Sequence, residues 1–368
     1  MLNILLSLIF IRPFISSLAY PGADFIFSLL IFGFIIIYAV NRKINSSGIK
    51  PLRWPLLAFL LVHFISYAIF SHKLSGLQEF YQLASCISIF IVIASLPAQD
   101  KNRIFKCVIV SGIFISLCAI YQYFFGFQHL LNYVIKEKIQ DNFILEYTTR
   151  KRVFFPFVTP NTLASFLSMA VILALAAKQR IWFILPLGFA LFLTQSLSAL
   201  FSVSLGIMIY FHLKNKSKKI RIIILSSILL TAATVLLLRI TSQKQYLQPA
   251  FSALMRLDYW SDTIKIIKTS PLIGIGVGNF NLAHSRYAHN FILQLWAEIG
   301  LFGLAAFAWL ITLIIKRALQ PINNQLPRKE IICLITASLV FLINNCFDFS
   351  FFLPEVSLIW WVILGLLV

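Results

Sequence analysis

Charge is scarce in this chain, and acid is scarcer than base. Only 12% of the 368 residues are Asp, Glu, Lys or Arg, 60% are hydrophobic, and the mean hydropathy is +0.89. A soluble globular domain does not carry that balance, so the chain reads as an all-α integral membrane protein. Cysteine is also sparse. Cys86, Cys107, Cys118, Cys333 and Cys346 each fall inside an apolar run, which argues against a disulfide framework or a cysteine metal cluster and leaves small buried hydrophobes. The first apolar segment lacks a basic leader and a small-residue cleavage pattern, so it reads as a retained helix. Short repeats and low-complexity linkers are missing too, and residues 1–368 read as a single membrane domain.

What charge there is lies in particular places. Lys and Arg number 31 against 12 acids, a formal net charge of +19. Five short loops, at 41–53, 98–106, 178–180, 214–221 and 316–329, hold 18 of the 31 bases, with only Asp100 and Glu330 beside them. That asymmetry is the positive-inside pattern of cytoplasmic loops, and it removes nucleic acid as a partner. Between those loops the apolar runs predict about 12 transmembrane helices: near 2–18, 23–40, 54–70, 80–96, 104–124, 162–177, 181–194, 198–212, 222–238, 291–315, 331–347 and 353–368. Twelve crossings put both termini in the cytoplasm and leave every basic loop on one side.

One stretch is too short for what it must do. Residues 181–212 carry no charge, yet basic loops flank them on the same side, so the chain must cross twice. As helix they span roughly 48 Å, against roughly 60 Å for two full crossings. The turn at Thr194-Gln195-Ser196-Leu197-Ser198 is therefore expected below the outer surface, where irregular backbone needs protein or a wet cavity around it.

Two outward segments are long enough to build a site, roughly 125–161 and 239–290. Both are basic, with Lys136, Lys138, Arg150, Lys151 and Arg152 in the first and Arg239, Lys244, Arg256, Lys265, Lys268 and Arg286 in the second. Most can pair with local acids (Glu137, Asp141, Glu146, Asp258, Asp262) or with lipid headgroups. Arg150, Arg152 and Arg256 stand apart, because each abuts a membrane re-entry or an amphipathic stretch.

Residues 255–269 place Leu257, Trp260, Ile264 and Ile267 at helical spacing, which predicts a helix in the interface plane anchored by Trp260. Pro271 ends it. Gly274, Gly276 and Gly278 then suit a tight turn or a backbone approaching phosphate, since no strand or dinucleotide fingerprint accompanies them. His289 precedes the tenth helix directly. Asn290, Gln294 and Glu298 follow at spacings of four, a polar stripe on an apolar helix that must face the bundle interior. Gly300 and Gly303 are expected to allow close helix packing. His284 has no zinc-ligand pattern around it. Arg12, Asp348 and Glu355 lie at or near membrane depth, either lining the same outer cavity or pairing with one another.

His289-Asn290, nine residues, then Gly300-x-x-Gly303, preceded by Arg256-x-x-x-Trp260 and by Pro-Leu-Ile-Gly-Ile-Gly-Val-Gly-Asn-Phe at 271–280, resembles the O-antigen ligase and O-antigen polymerase family. A second match is Arg152-Val-Phe-Phe-Pro-Phe-Val-Thr-Pro-Asn161-Thr-Leu-Ala, with Phe155 and Pro156 where the family often has Gly and Thr. The resemblance covers about 150–368. It implies a periplasm-facing transferase in the bacterial inner membrane, using an undecaprenyl-diphosphate-linked glycan as donor and lipid A-core or a glycan as acceptor. Neither metal, ATP nor another cofactor is implied. Arg256, Arg152 and Arg150 are then expected to bind the donor diphosphate and His289 to act as base, supported by Asn290, Gln294, Glu298, Gly300, Gly303 and Asn161. The histidine-to-glycine spacing favours a ligase over a polymerase. A solute transporter would spread its charges through the midplane; here they crowd one face.

Overall fold

Helix is the regular structure throughout the residues that the computed structural model describes: 1–41, 48–70, 74–137, 142–177, 180–214, 249–320 and 326–368, with positions 222, 226 and 233. Apart from positions 222, 226 and 233, the expected helix at 222–238 lies outside the described residues, as do most of the basic loop 214–221 and Lys138, Asp141, Arg239 and Lys244. Strands are missing among the described residues, as an all-α polytopic membrane protein requires.

In chain order the helices are α1 (Leu2–Ile11), α2 (Pro21–Asn41), α3 (Arg53–Phe70), α4 (Leu74–Ala94), α5 (Ala98–Tyr121), α6 (Phe127–Lys136), α7 (Asn142–Thr149) and α8 (Pro160–Ala174). They continue as α9 (Arg180–Leu193), α10 (Leu197–Leu213), α11 (Pro249–Thr269), α12 (Phe291–Ala318), α13 (Arg328–Asn345) and α14 (Pro354–Leu366). Pro21–Asn41, Lys50–Phe70, Leu74–Ala94, Ala98–Lys136 and Phe291–Ala318 are long and apolar enough to cross a bilayer. The helices at Leu2–Phe14, Pro160–Ala174, Ile181–Leu193, Leu197–Leu213 and Pro354–Leu366 are apolar but shorter. One hydrophobic core runs from Leu5 to Val368: α14 packs on α4, α13 on α8 and α10, and α12 on α3.

Local chemistry sets the boundaries. Pro13 converts the end of α1 into a 3-10 turn over Arg12–Phe14, so the first helix is shorter than its apolar run. Thr159 caps α8, its hydroxyl accepting from Thr162 N at 3.2 Å ahead of Pro160. The outer segment expected to loop from residue 125 stays helical instead. A π turn at Gln122–Gly126 absorbs the glycine, Phe127 and Val134 keep an apolar face buried, and α5 runs on into α6. The 39 residues from Ala98 to Lys136 make roughly 58 Å of helix, about twice a ~30 Å hydrocarbon core. The Gln122 side chain ties this extension to the next segment, accepting from Phe154 N at 2.8 Å and Phe155 N at 2.9 Å.

The buried charges sort themselves. Arg12 Nη2 donates to Asp24 Oδ1 at 2.5 Å, Gln82 Nε2 donates to Asp24 Oδ2 at 2.7 Å, and Glu355 lies 3.8 Å from Arg12. Arg12 and Glu355 are therefore mutual structural partners joining α1, α2, α4 and α14. Breaking such a pair costs roughly 3–5 kcal/mol. Asp348 stays outside this network.

Orientation in the membrane has a direct check. In a cysteine-free background, cysteine at half-exposed Asp262 should react with an impermeant maleimide added to spheroplasts, and cysteine at exposed Gln99 should react only after lysis. The reverse pattern would place the whole site on the cytoplasmic face.

Candidate active site

The tenth expected membrane helix is broken. Gly300 has φ 69° and ψ −176° in the middle of α12, which removes helical hydrogen bonds at membrane depth. Those groups are taken up by the segment before the helix. Ile275 N donates to Ala297 O at 2.8 Å and Gly276 N to Glu298 O at 3.1 Å, while Leu301 N donates to Pro271 O at 3.0 Å. Trp296 Nε1 also donates to Pro271 O at 2.8 Å, and Ser66 Oγ on α3 donates to Glu298 O at 2.9 Å. Non-helical backbone is tolerated in a bilayer only when protein satisfies it in this way.

The glycines serve that junction. A Cβ on Gly300 would stand 2.2 Å from Leu272 O, and one on Gly274 (φ 76°) would stand 2.3 Å from Glu298 O. One expectation is corrected here: Gly300 breaks its own helix rather than letting a neighbouring helix approach. Of the two readings of the tract at 274–278, the structure has the tight turn, with the glycines at positive φ and packed against protein atoms. Gly303 likewise faces Ile299 of its own helix.

The break and its loop hold His289 in place from both sides. Asn290 is the N-cap of α12, its Oδ1 accepting from Ile292 N at 3.1 Å and Leu293 N at 3.2 Å. Gln294 Oε1 accepts from Ala288 N at 3.1 Å, and Gln294 Nε2 donates to Glu298 Oε1 at 3.1 Å. The polar stripe expected to face the interior does so: Gln294 and Glu298 are both buried. Between these clamps His289 takes φ 52°, a left-handed conformation that a residue with a Cβ adopts only when its surroundings enforce it.

The imidazole sits in an aromatic slot. Tyr259 of α11 stacks on it at 5.6 Å and 19°, and Phe349 meets it edge-on at 4.9 Å and 82°. Its Nδ1 is buried without a hydrogen bond among the described residues. Burial first, and then the nearby Arg256 guanidinium, push its pKa down to about 3. The ring is therefore neutral at physiological pH, the state that can accept a proton.

Arg256, three residues before Tyr259, stands beside it. Its Nε donates to Phe347 O at 2.9 Å and its Nη1 to Ser252 Oγ at 2.8 Å; Nη2 has no hydrogen bond among the described residues. Burial lowers its pKa, Asp348 works against that, and Arg152 adds to it. Asp348 is fully buried; Ser350 Oγ donates to its Oδ2, and its Oδ1 has no hydrogen bond among the described residues. Burial raises its pKa, offset by Ser350, the Phe349 N–H and Arg256. Trp260 packs on Phe347 at 6.2 Å.

The first outer segment contributes differently. Arg152 is buried, with Nε donating to Thr194 O at 3.1 Å, Nη1 to Glu146 Oε1 at 3.2 Å and Nη2 to Asn161 Oδ1 at 3.3 Å. It stitches α7, the α9–α10 turn and the start of α8 together. Gln195 Nε2 donates to Arg150 O at 3.0 Å, so the turn expected below the surface is indeed packed, with Thr194 and Ser196 buried. Arg150 lies in the same charge cluster, its pKa lowered by burial, raised by Glu146 and lowered by Arg152.

Arg256, His289 and Asp348 thus converge beside Tyr259 and Phe349, with Arg152 in electrostatic range of Arg256, Arg150 next to Arg152, and Asn290, Gln294 and Glu298 as the frame. Sequence reading left Asp348 open and missed Tyr259, Phe349 and Ser252. Asp348 had a signal, an acid between two apolar helices; the aromatics had none among 36 Phe and 12 Tyr. Compared with known proteins, residues 181–308 match the family model described as O-Antigen ligase, about a third of the chain. No curated protein matches it. The family match supports the resemblance read from His289, Gly300 and Arg256, all of which it contains.

Proposed function

We propose that this O-antigen ligase family chain is a membrane glycosyltransferase that moves a glycan from undecaprenyl diphosphate to lipid A-core on the periplasmic face of the bacterial inner membrane. The observation that carries the reading is a half-buried, neutral His289, its Nδ1 buried, held at positive φ next to Arg256.

The chemistry needs two things, and the site offers both. The acceptor hydroxyl oxygen bonds to the anomeric carbon as the bond from that carbon to the diphosphate oxygen breaks. Charge grows on the departing diphosphate, and the acceptor loses a proton. Arg256 suits the first need through Nη2, the end of its guanidinium that Phe347 and Ser252 leave open to a phosphate oxygen, with Arg152 and Arg150 adding field. His289 takes the proton. Asp348 holds the Arg256 charge in place. The leaving group is activated by its own diphosphate, so no nucleotide is required, and we assign no metal a role.

The depressed pKa of His289 has a measurable consequence. The free enzyme keeps a neutral imidazole well below pH 6.5, so kcat/KM should stay level from about pH 7.5 to about 5. Bound diphosphate cancels part of the Arg256 charge and raises the imidazole pKa, so the acid limb of kcat should lie at higher pH than that of kcat/KM. A single limb near pH 6.5 in both profiles would contradict the neutral base.

Reconstitution with one lipid-linked donor and two acceptors tests the function itself. Product on lipid A-core is expected. Product only on a second lipid-linked repeat unit would make the chain a polymerase, and uptake of solute without glycan transfer would make it a transporter.

A further inference from the structure

The helix that carries Arg256 has a second, oppositely charged face. Asp258, Tyr259 and Asp262 of α11 look across at Leu282, Ala283 and His284, enclosing a cleft of about 380 Å³. That volume falls within the ~300–1,000 Å³ of small-ligand sites. Asp258 is exposed and makes no hydrogen bond among the described residues, while Asp262 pairs with exposed Lys265 at 2.8 Å. Tyr259 is shared: it lines the cleft and its ring stacks on His289 at 5.6 Å.

The chemistry of those walls selects an occupant. Two carboxylates repel a diphosphate or a phosphorylated sugar, and they accept hydrogen bonds from hydroxyl or ammonium groups. An aromatic wall offers an apolar surface to the C–H face of a sugar ring. The position selects among sugars. The donor is anchored through its diphosphate at Arg256, and displacement at the anomeric carbon requires the incoming oxygen to arrive from the side away from the leaving group. The cleft meets the site at Tyr259, which lines it and stacks on His289, whereas Arg256 and its partners Phe347 and Ser252 are not part of its lining.

We propose that this cleft is the subsite for an unphosphorylated, neutral or amino-bearing sugar of the acceptor glycan, seated so that its hydroxyl reaches His289. The assignment rests on the transferase reading above. It makes Asp258 and Asp262 determinants of acceptor specificity rather than catalytic residues, and it predicts discrimination against acceptors phosphorylated on that sugar.

The test uses the full-length protein in detergent micelles and a lipid-free oligosaccharide of neutral hexoses as probe, read by saturation-transfer NMR. Wild type should bind it. The double variant D258N/D262N, and Ala283→Trp, which fills the cleft from an exposed position without changing charge, should each weaken binding about tenfold or more at unchanged thermal midpoint. In transfer assays the same variants should raise KM for acceptor by a similar factor and leave KM for donor and kcat in place. Unchanged oligosaccharide binding in both variants, or a rise in donor KM instead, would overturn the subsite. Wild type that transfers glycan but does not bind the oligosaccharide would also overturn it, while the transferase reading survives. Binding that the variants abolish, in a protein that transfers nothing, would uphold the sugar site and defeat the transferase reading.

Discussion

Arg256→Ala is expected to reduce glycan transfer by roughly three orders of magnitude at equal protein level in the membrane. Removing one preorganised donor to a developing oxyanion costs about 10²–10³ in rate, and cationic clamps on departing phosphates can be worth more. Arg256 also donates to Phe347 O and Ser252 Oγ, so the alanine variant loses structure as well as charge. Arg256→Lys separates the two. It keeps the charge beside Asp348 but replaces a planar fork with a point charge, and it should recover less than about tenfold of the lost activity. Transfer near the wild-type rate in either variant would remove Arg256 from the chemistry. Arg152 should behave otherwise. With its guanidinium held by Thr194, Glu146 and Asn161, its replacement should lower the thermal midpoint together with activity.

His289→Ala is expected to cost a factor of roughly 10² or more in kcat while leaving donor binding largely intact, as for loss of a positioned general base. The substitution also removes a ring packed between Tyr259 and Phe349, so His289→Gln, which fills much of the slot without supplying a base at neutral pH, should be as inactive as alanine. Release of the left-handed strain at position 289 should not rescue either variant. Donor affinity measured directly by binding should stay within about threefold of wild type, because Arg256 remains. Most activity surviving in His289→Ala would defeat the base assignment even with the family match standing.

How much of this was legible in the sequence depends on the physics behind each feature. Hydropathy and basic loops gave the helices, because twenty apolar residues between like-charged loops have one stable arrangement in lipid. The spacing of Asn290, Gln294 and Glu298 gave a buried stripe, since helical periodicity alone decides which residues share a face. The break at Gly300 was not legible. A glycine in an apolar helix reads as a packing contact, and only the carbonyls of Ala297 and Glu298 paired to Ile275 and Gly276 show that the helix is interrupted. The same holds for α6, where the outward segment was expected to begin near 125 and the chain instead continues as helix through a π turn at Gln122–Gly126. Arg12 and Glu355 could be recognised as intramembrane charges, but their pairing across 343 positions of sequence, 12 to 355, is a tertiary fact. Asp348 gained meaning only from its neighbour Arg256, which pattern reading cannot bring close.

The central claim is that the chain's own arginine and histidine suffice to move a glycan off a lipid diphosphate. The most direct measurement reconstitutes purified wild-type protein with a lipid-diphosphate-linked glycan and lipid A-core, in the presence of EDTA and without nucleotide. The account predicts glycosylated lipid A-core and free undecaprenyl diphosphate in equal amounts, at a rate unchanged by the chelator. No product under these conditions, or product that appears only when a divalent metal or a nucleotide is added, would contradict it.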